Sequence, residues 1–223
     1  AYGIYAEQNA VINLHAKSTG TIKIGAKAEN ATNTEAYAVY ADKATVIFHD
    51  NAELNTSDGS IEDNNVLTYL KDATLGFGGT TADRIVTGGT LKLEGSNTFR
   101  FTTNLANNQA DSMTFDTIEN NSSKQYIQIG YEEAFKDALS EADIVTITGN
   151  ANVLTINNLN GQNLNNFTGQ ASSLDSPLER FKVTPTVDVV DNKVNITEIA
   201  LAKENSPSET AMAASDAQMA MGS

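Results

Sequence analysis

The stretch AYGIYAEQNAVINL at residues 1–14 returns as AYAVYADKATVIFH at residues 36–49, thirty-five positions later. Six of the fourteen aligned positions are identical, and Gly3/Ala38, Ile4/Val39 and Glu7/Asp42 exchange within one chemical type. A weaker third copy follows: YLKDATLGF at residues 69–77 keeps the tyrosine, the Ala-Thr pair, the next aliphatic residue and the phenylalanine of YADKATVIF at residues 40–48. A period of about thirty residues marks a stacked architecture, in which each copy buries its apolar face against the next. Within a copy Tyr2 and Ile4 alternate with small residues, and Ala10, Ile12 and Leu14 alternate again. That is period two, so the elements are short strands separated by a polar corner at residues 7–9.

The same alphabet continues outward. TIKIG at 21–25, TLKLEG at 90–95, NTFRFT at 97–102, DSMTFD at 111–116 and YIQIG at 126–130 each read as a short strand. A turn at 18–20 has its equivalent at 57–59, displaced by four further residues, and a stack takes up such insertions in its corners. YEEAFKDALSEAD at 131–143 breaks the pattern. Ala134, Phe135, Ala138, Leu139 and Ala142 recur at helical spacing with acids in the first turn, which predicts one short helix laid over the side or edge of the strands. Strands resume with DIVTITG, NVLTINNL and RFKVTPTVDVV, and the last pairs with KVNITEIAL across Asp191 and Asn192 as a terminal hairpin. Ser206, Pro207 and Glu209 read as N-cap, first helical residue and third residue of a capping box, opening an alanine- and methionine-rich helix that runs to Met221.

Composition removes several function classes. Twenty-eight acids against fourteen bases give a net charge of −14, a field that repels phosphate backbones, so nucleic acid is not an expected partner. The absence of cysteine rules out disulfides and thiolate zinc sites. No apolar run approaches the ~18 residues of a membrane-spanning helix. Ala1 stands in mid-repeat, and the chain reads as a piece of something longer.

Candidate sites are few. Tyr2, Tyr5, Tyr37, Tyr40 and Tyr69 recur from copy to copy and form the candidate interaction surface. Alternation places Tyr2 and Tyr37 on one face and Tyr5 and Tyr40 on the other. His15 and His49 occupy nearly matching positions and read as solvated corner residues rather than parts of a triad. Asp58, Glu62 and Asp63 cluster in a polar corner; they are the pair-forming carboxylates a polysaccharide-degrading enzyme would need, or a loop for weak calcium binding, although the calcium-loop spacing is missing. The reading is a non-enzymatic chain with no catalytic residue, no metal and no cofactor.

In this order the pieces resemble the C-terminal part of an autotransporter passenger of the pertactin-like type. Three features carry the resemblance: the repeated GIYA/AVYA coil; the block GGTLKLEGSNTFRFTTNLANNQADSMTF at 88–115 with its Leu-x-x-x-x-Ala-Asp turn, here Leu105, Ala110 and Asp111; and FKVTPTVDVVDNKVNITEI followed by the alanine-rich run. The resemblance implies an all-β, right-handed parallel β-helix, a solenoid with a capped C-terminal end, one short inserted helix and a C-terminal linker helix. It divides the chain into repeat coils at 1–87, a C-terminal cap with an autochaperone-like role at 88–200, and a linker helix at 201–223 leading to a β-barrel of the full-length protein. It further implies cell-surface or outer-membrane display, or release from there, and an adhesive or self-associating function. The implied partners are a host or bacterial surface protein or glycan, another copy of the chain, and its own barrel.

Overall fold

The computed structural model describes residues 1–15, 21–28, 35–49, 59–61, 66–135, 144–175 and 179–207. In chain order its strands are β1 (Tyr2–Glu7), β2 (Val11–His15), β3 (Ile22–Ile24), β4 (Tyr37–Asp42), β5 (Thr45–His49), β6 (Gly59–Ile61), β7 (Leu67–Lys71), β8 (Thr74–Gly78) and β9 (Ile85–Glu94). Then come β10 (Ser96–Asn104), β11 (Gln109–Ala110), β12 (Ser112–Asn120), β13 (Lys124–Glu132), β14 (Ile144–Asn158), β15 (Phe167–Gly169), β16 (Ser172–Asp175), β17 (Glu179–Val190) and β18 (Lys193–Pro207). A single 3₁₀ turn, Leu105–Asn107, stands between β10 and β11.

The chain is all-β and its sheets do not close into a barrel. It alternates between two sheets. The first runs β1-β4-β7-β9-β12-β14-β18-β17-β16 with β3 and β6 beside that path, and the second runs β15-β13-β10-β8-β5-β2. Along the two main paths the strands from β1 to β14 lie parallel on their predecessors in the same sheet, after an excursion through the other sheet, while the short β11 turns back antiparallel on β10. The order then changes: β14, β18, β17 and β16 pair antiparallel. The hairpin expected across Asp191 and Asn192 is present, with Val190 opposite Lys193.

Parallel stacking converts the sequence alternation into columns of like side chains. In the second sheet Val46, Leu75, Phe99 and Ile127 fall in one inner column and Phe48, Phe77, Phe101 and Ile129 in the next, all of them buried. The rings of Phe48 and Phe77 are 6.0 Å apart and those of Phe77 and Phe101 6.1 Å. Opposite them the first sheet supplies Ala41, Leu70 and Leu93 in register, and Met113 with Leu154. Fully burying one such Leu or Phe contributes about 1.5–3 kcal/mol.

Three of the corners between the sheets are set by one left-handed residue each: Lys43 (φ 52°), Asp72 (φ 48°) and Gly95 (φ 64°). The first corner has two, Gln8 (φ 55°) and Asn9 (φ 69°). That extra residue corrects the sequence alignment. Tyr2 pairs with Tyr37, but Val11 pairs with Thr45 and Leu14 with Phe48, so the offset drops by one across the corner and apolar residues still face inward. At the fourth corner only glycine fits, because a Cβ on Gly95 would stand 2.3 Å from Asp72 Oδ1, which accepts the Ser96 amide.

Two expected helices are corrected as far as the described residues reach. Tyr131 and Glu132 end β13, Glu133 and Ala134 turn the chain, and of the expected helix only Phe135 is helical among the described residues; residues 136–143 lie outside the described set. Glu132 is the cause. Its carboxylate is fully buried and accepts from Thr103 Oγ1 and from the Leu105 and Ala134 amides, which fixes that residue in the strand's last position. Ser206 and Pro207, expected to cap a helix, instead end β18, where Pro207 sits opposite Glu179. Proline is tolerated at such a strand end. Residues 208–223 lie outside the described set.

Candidate functional site

The five candidate tyrosines stand together on one face, contrary to the alternation expected from sequence. The cause is a β-bulge. Tyr37 lies opposite Leu67 and Val39 opposite Thr68, so Ala38 is one residue too many for its partner strand. Ala38 and Val39 are both fully buried, and Tyr37 and Tyr40, three residues apart, therefore share the outer surface. β1 copies the register, with Tyr2 on Tyr37 and Tyr5 on Tyr40. Close approach at the equivalent position requires glycine: a Cβ on Gly3 would stand 2.7 Å from the Gly25 carbonyl oxygen and 2.8 Å from that of Ala38.

Two stacked columns result. Tyr2 and Tyr37 stack at 5.3 Å with rings 10° apart. Tyr5, Tyr40 and Tyr69 stack at 5.1 Å and 4.8 Å. Edge-on contacts of 5.0 Å between Tyr2 and Tyr5 and of 5.4 Å between Tyr37 and Tyr40 join the columns. Both geometries suit the ring quadrupole. Exposure falls along the stack, from 53% at Tyr2 and 52% at Tyr5 to 8% at Tyr69.

Carboxylates rim the rings. Tyr37 donates its hydroxyl to Glu35 and Tyr69 donates to Glu94 Oε2 at 2.8 Å. Lys92 pairs with Glu35 and Glu119, and Lys71 with Asp42. The hydrogen bond to Glu7 and partial desolvation push the Tyr5 phenol up to about 12. Desolvation, then the bond to Glu35, raises Tyr37; desolvation, then Glu94, raises Tyr69; desolvation, then the charge of Asp42, raises Tyr40. These phenols are therefore neutral donors at any physiological pH. The arrangement offers flat π faces flanked by acceptors, the chemistry that stacks on a sugar ring or a partner's aromatic side chain.

The other candidates separate. His15 and His49 pair across β2 and β5 and stack at 4.8 Å; His49 Nε2 contacts Asn13 Oδ1 at 2.7 Å, a bond that orients the ring without any nucleophile in it. Asp58, Glu62 and Asp63 lie outside the described residues. Among the described residues no group of three or more His, Asp or Glu stands close enough to hold a metal ion.

One buried site went unread in the sequence. Asp111, identified there only as a turn residue, is fully buried against an equally buried Arg84. Arg84 Nε and Nη2 donate to its two oxygens at 3.1 and 2.9 Å, and the Arg84 and Thr102 amides donate at 3.0 Å. The remaining guanidinium nitrogen donates to the Gly78 carbonyl at 2.7 Å, and the group lies 5.0 Å above the Phe77 ring. Desolvation pushes the Asp111 carboxyl up to about 6, against the pull of Arg84. With every donor and acceptor engaged internally, this cluster fixes the turn and offers nothing to a ligand.

No protein-family model, no curated protein and no solved structure matches this chain.

Proposed function

We propose that the chain is a segment of a surface-displayed autotransporter passenger: a right-handed β-solenoid stalk whose antiparallel end serves as folding template, and whose tyrosine columns form a non-enzymatic contact surface. The observation that carries this reading is the register. Tyr5, Tyr40 and Tyr69 are superposed by parallel pairing of successive copies, and the parallel order gives way to an antiparallel end built by β14, β18, β17 and β16. A stack of this kind adds coil upon coil, each addition favourable once its predecessor is folded, so folding outside the cell draws the chain outward.

The ligand surface follows from exposure. Tyr2 and Tyr5 each leave about half of their surface uncovered, in a chain whose remaining aromatic rings are mostly interior. Exposed tyrosines mark interfaces because they bring large contact area and a hydrogen-bonding tip at low entropic cost. The partner is a glycan or protein on a host or bacterial surface, including another copy of the chain.

The secretion reading is tested in the coding sequence downstream: it should specify about a dozen amphipathic strands ending in an aromatic residue. A cytosolic domain there would sink it. The contact surface is tested with beads carrying the chain, assayed for adhesion to epithelial cells and to each other. Tyr2→Ser with Tyr5→Ser should abolish adhesion while leaving the melting temperature within about 2 °C, since surface substitutions cost little; full adhesion by the double variant would remove the tyrosines from the role.

A further inference from the structure

The outer face of the second sheet carries a second, chemically different site. Parallel pairing sets Asn13, Ile47, Gly76, Arg100 and Gln128 side by side across β2, β5, β8, β10 and β13. The next outward position holds His49 beside Gly78. Where glycine interrupts these rows the surface is bare backbone, and Arg100 lies over it. A Cβ on Gly76 would stand 2.6 Å from Arg100 Cβ, and one on Gly130 would stand 2.7 Å from Arg100 Nε. The result is a groove of about 460 Å³ bounded by Arg100, Gln128, His49, Asn13, Thr45 and Thr74.

Arg100 is the anomaly. The chain has three arginines, of which Arg84 pairs with Asp111 and Arg180 with Asp175. Among the described residues Arg100 makes no hydrogen bond and no ion pair, although acids outnumber bases two to one in the chain. Desolvation lowers its pKa, with no compensating charge among the described residues. A partly dehydrated guanidinium without a partner is costly, and its planar fork of donors matches a carboxylate in two-point geometry.

We infer that this groove binds a carboxylate-bearing sugar of an acidic glycan, with Arg100 taking the carboxylate and the surrounding amides and hydroxyls taking the ring hydroxyls. The neighbours fit that division. Gln128, which lines the groove, donates its Nε2 hydrogen to Gln170 at 2.7 Å and so keeps its oxygen as an acceptor. Thr45 and Thr74 sit side by side and supply hydroxyls that donate or accept. One cation in a field of −14 suits a single charge per sugar and disfavours densely sulfated or phosphorylated polymers. The site is separate from the tyrosine columns and does not depend on the secretion reading.

The test is an NMR titration of the whole chain with four methyl glycosides: N-acetylneuraminic acid, glucuronic acid, galactose and galactose 6-sulfate. At least one of the two carboxylate sugars should bind saturably, shifting Arg100 and Gln128 resonances, with affinity falling as salt rises. Arg100→Met keeps the apolar stem over the glycines and should weaken binding by about tenfold or more, the loss of one charge-assisted fork, at unchanged melting temperature. Thr74→Tyr, which fills the groove from its wall, should do the same and answers the question if the arginine variant does not fold. No saturable binding of either acidic sugar, equal binding by the variants, or preference for the neutral or sulfated sugar would overturn the assignment.

Discussion

At the scale of single residues the molecule is held by groups whose partners are far away in sequence. Arg84 and Asp111 are both fully buried and exchange two charge-assisted bonds, while the Arg84 and Thr102 amides occupy what remains of the carboxylate. Removing one charge from such a pair leaves the other stranded in a medium that cannot solvate it. Asp111→Ala should therefore cost about 3–5 kcal/mol in urea unfolding, whereas the double variant Arg84→Met, Asp111→Leu should recover most of that loss, because an apolar pair carries no desolvation penalty. A single variant of native stability would show that Arg84 finds another partner. The sequence offered half of this. Asp111 closes a recognisable Leu-x-x-x-x-Ala-Asp turn, but nothing about Arg84 in the polar segment TTADR ties it to a residue twenty-seven positions on. Their meeting depends on β12 lying on β9 with Ser112 opposite Ile85, a fact of register. Arg100 was hidden in the same way: its outward position follows from alternation in NTFRFT, yet the bare backbone beneath it comes from glycines in two other strands.

At the scale of elements, alternation located the strands and failed where an extra residue entered. Period two separates Tyr37 from Tyr40, whereas the bulge at Ala38 reunites them, and a bulge of small residues leaves no mark on the apolar pattern. The helix expected at 131–143 failed at its start for a different reason. Acidic residues in a first helical turn look alike whether they serve a dipole or, as Glu132 does, enter the core to hold a corner. The tyrosine columns yield a pH prediction. A phenol whose proton is held more tightly in the fold than in the unfolded chain stabilises the fold below about pH 10, and that contribution is lost as the pH rises through the folded value. With Tyr5 near 12 and Tyr37, Tyr40 and Tyr69 also raised, the urea midpoint should fall between pH 10 and 12 in step with phenolate absorbance. All phenols ionising near 10 would contradict the hydrogen bonds to Glu35 and Glu94. The phenylalanine column gives a second. Phe77 is packed between Phe48 and Phe101 with 1% of its surface exposed, and Phe77→Ala should cost about 3–5 kcal/mol in the same assay. A loss under 1 kcal/mol would mean the neighbouring rings close the gap.

At the scale of the molecule the two ends of the parallel order are not equivalent. Every strand from β1 to β12 is held by its immediate neighbours within its sheet, so the removal of one copy should subtract its own share and leave the rest intact. The antiparallel end is different. β18 covers the edge of β14, β17 covers β18, and Phe181 on β17 meets Phe135 at 5.2 Å from the turn that follows β13, so this end ties both sheets together. Val194 and Ile196, fully buried, lie at its centre. Deleting residues 187–196 would remove the part of β18 that pairs with residues 151–155 of β14, open the interior between the sheets there and expose an unpaired edge, a template for pairing with other chains. Limited proteolysis should then digest the shortened chain from this end toward β1, with oligomers appearing in sedimentation. Deleting residues 1–35, by contrast, should leave a protected fragment beginning near β4. Equal resistance after both deletions would mean that the antiparallel end templates nothing, and that the stack is as stable without it as with it.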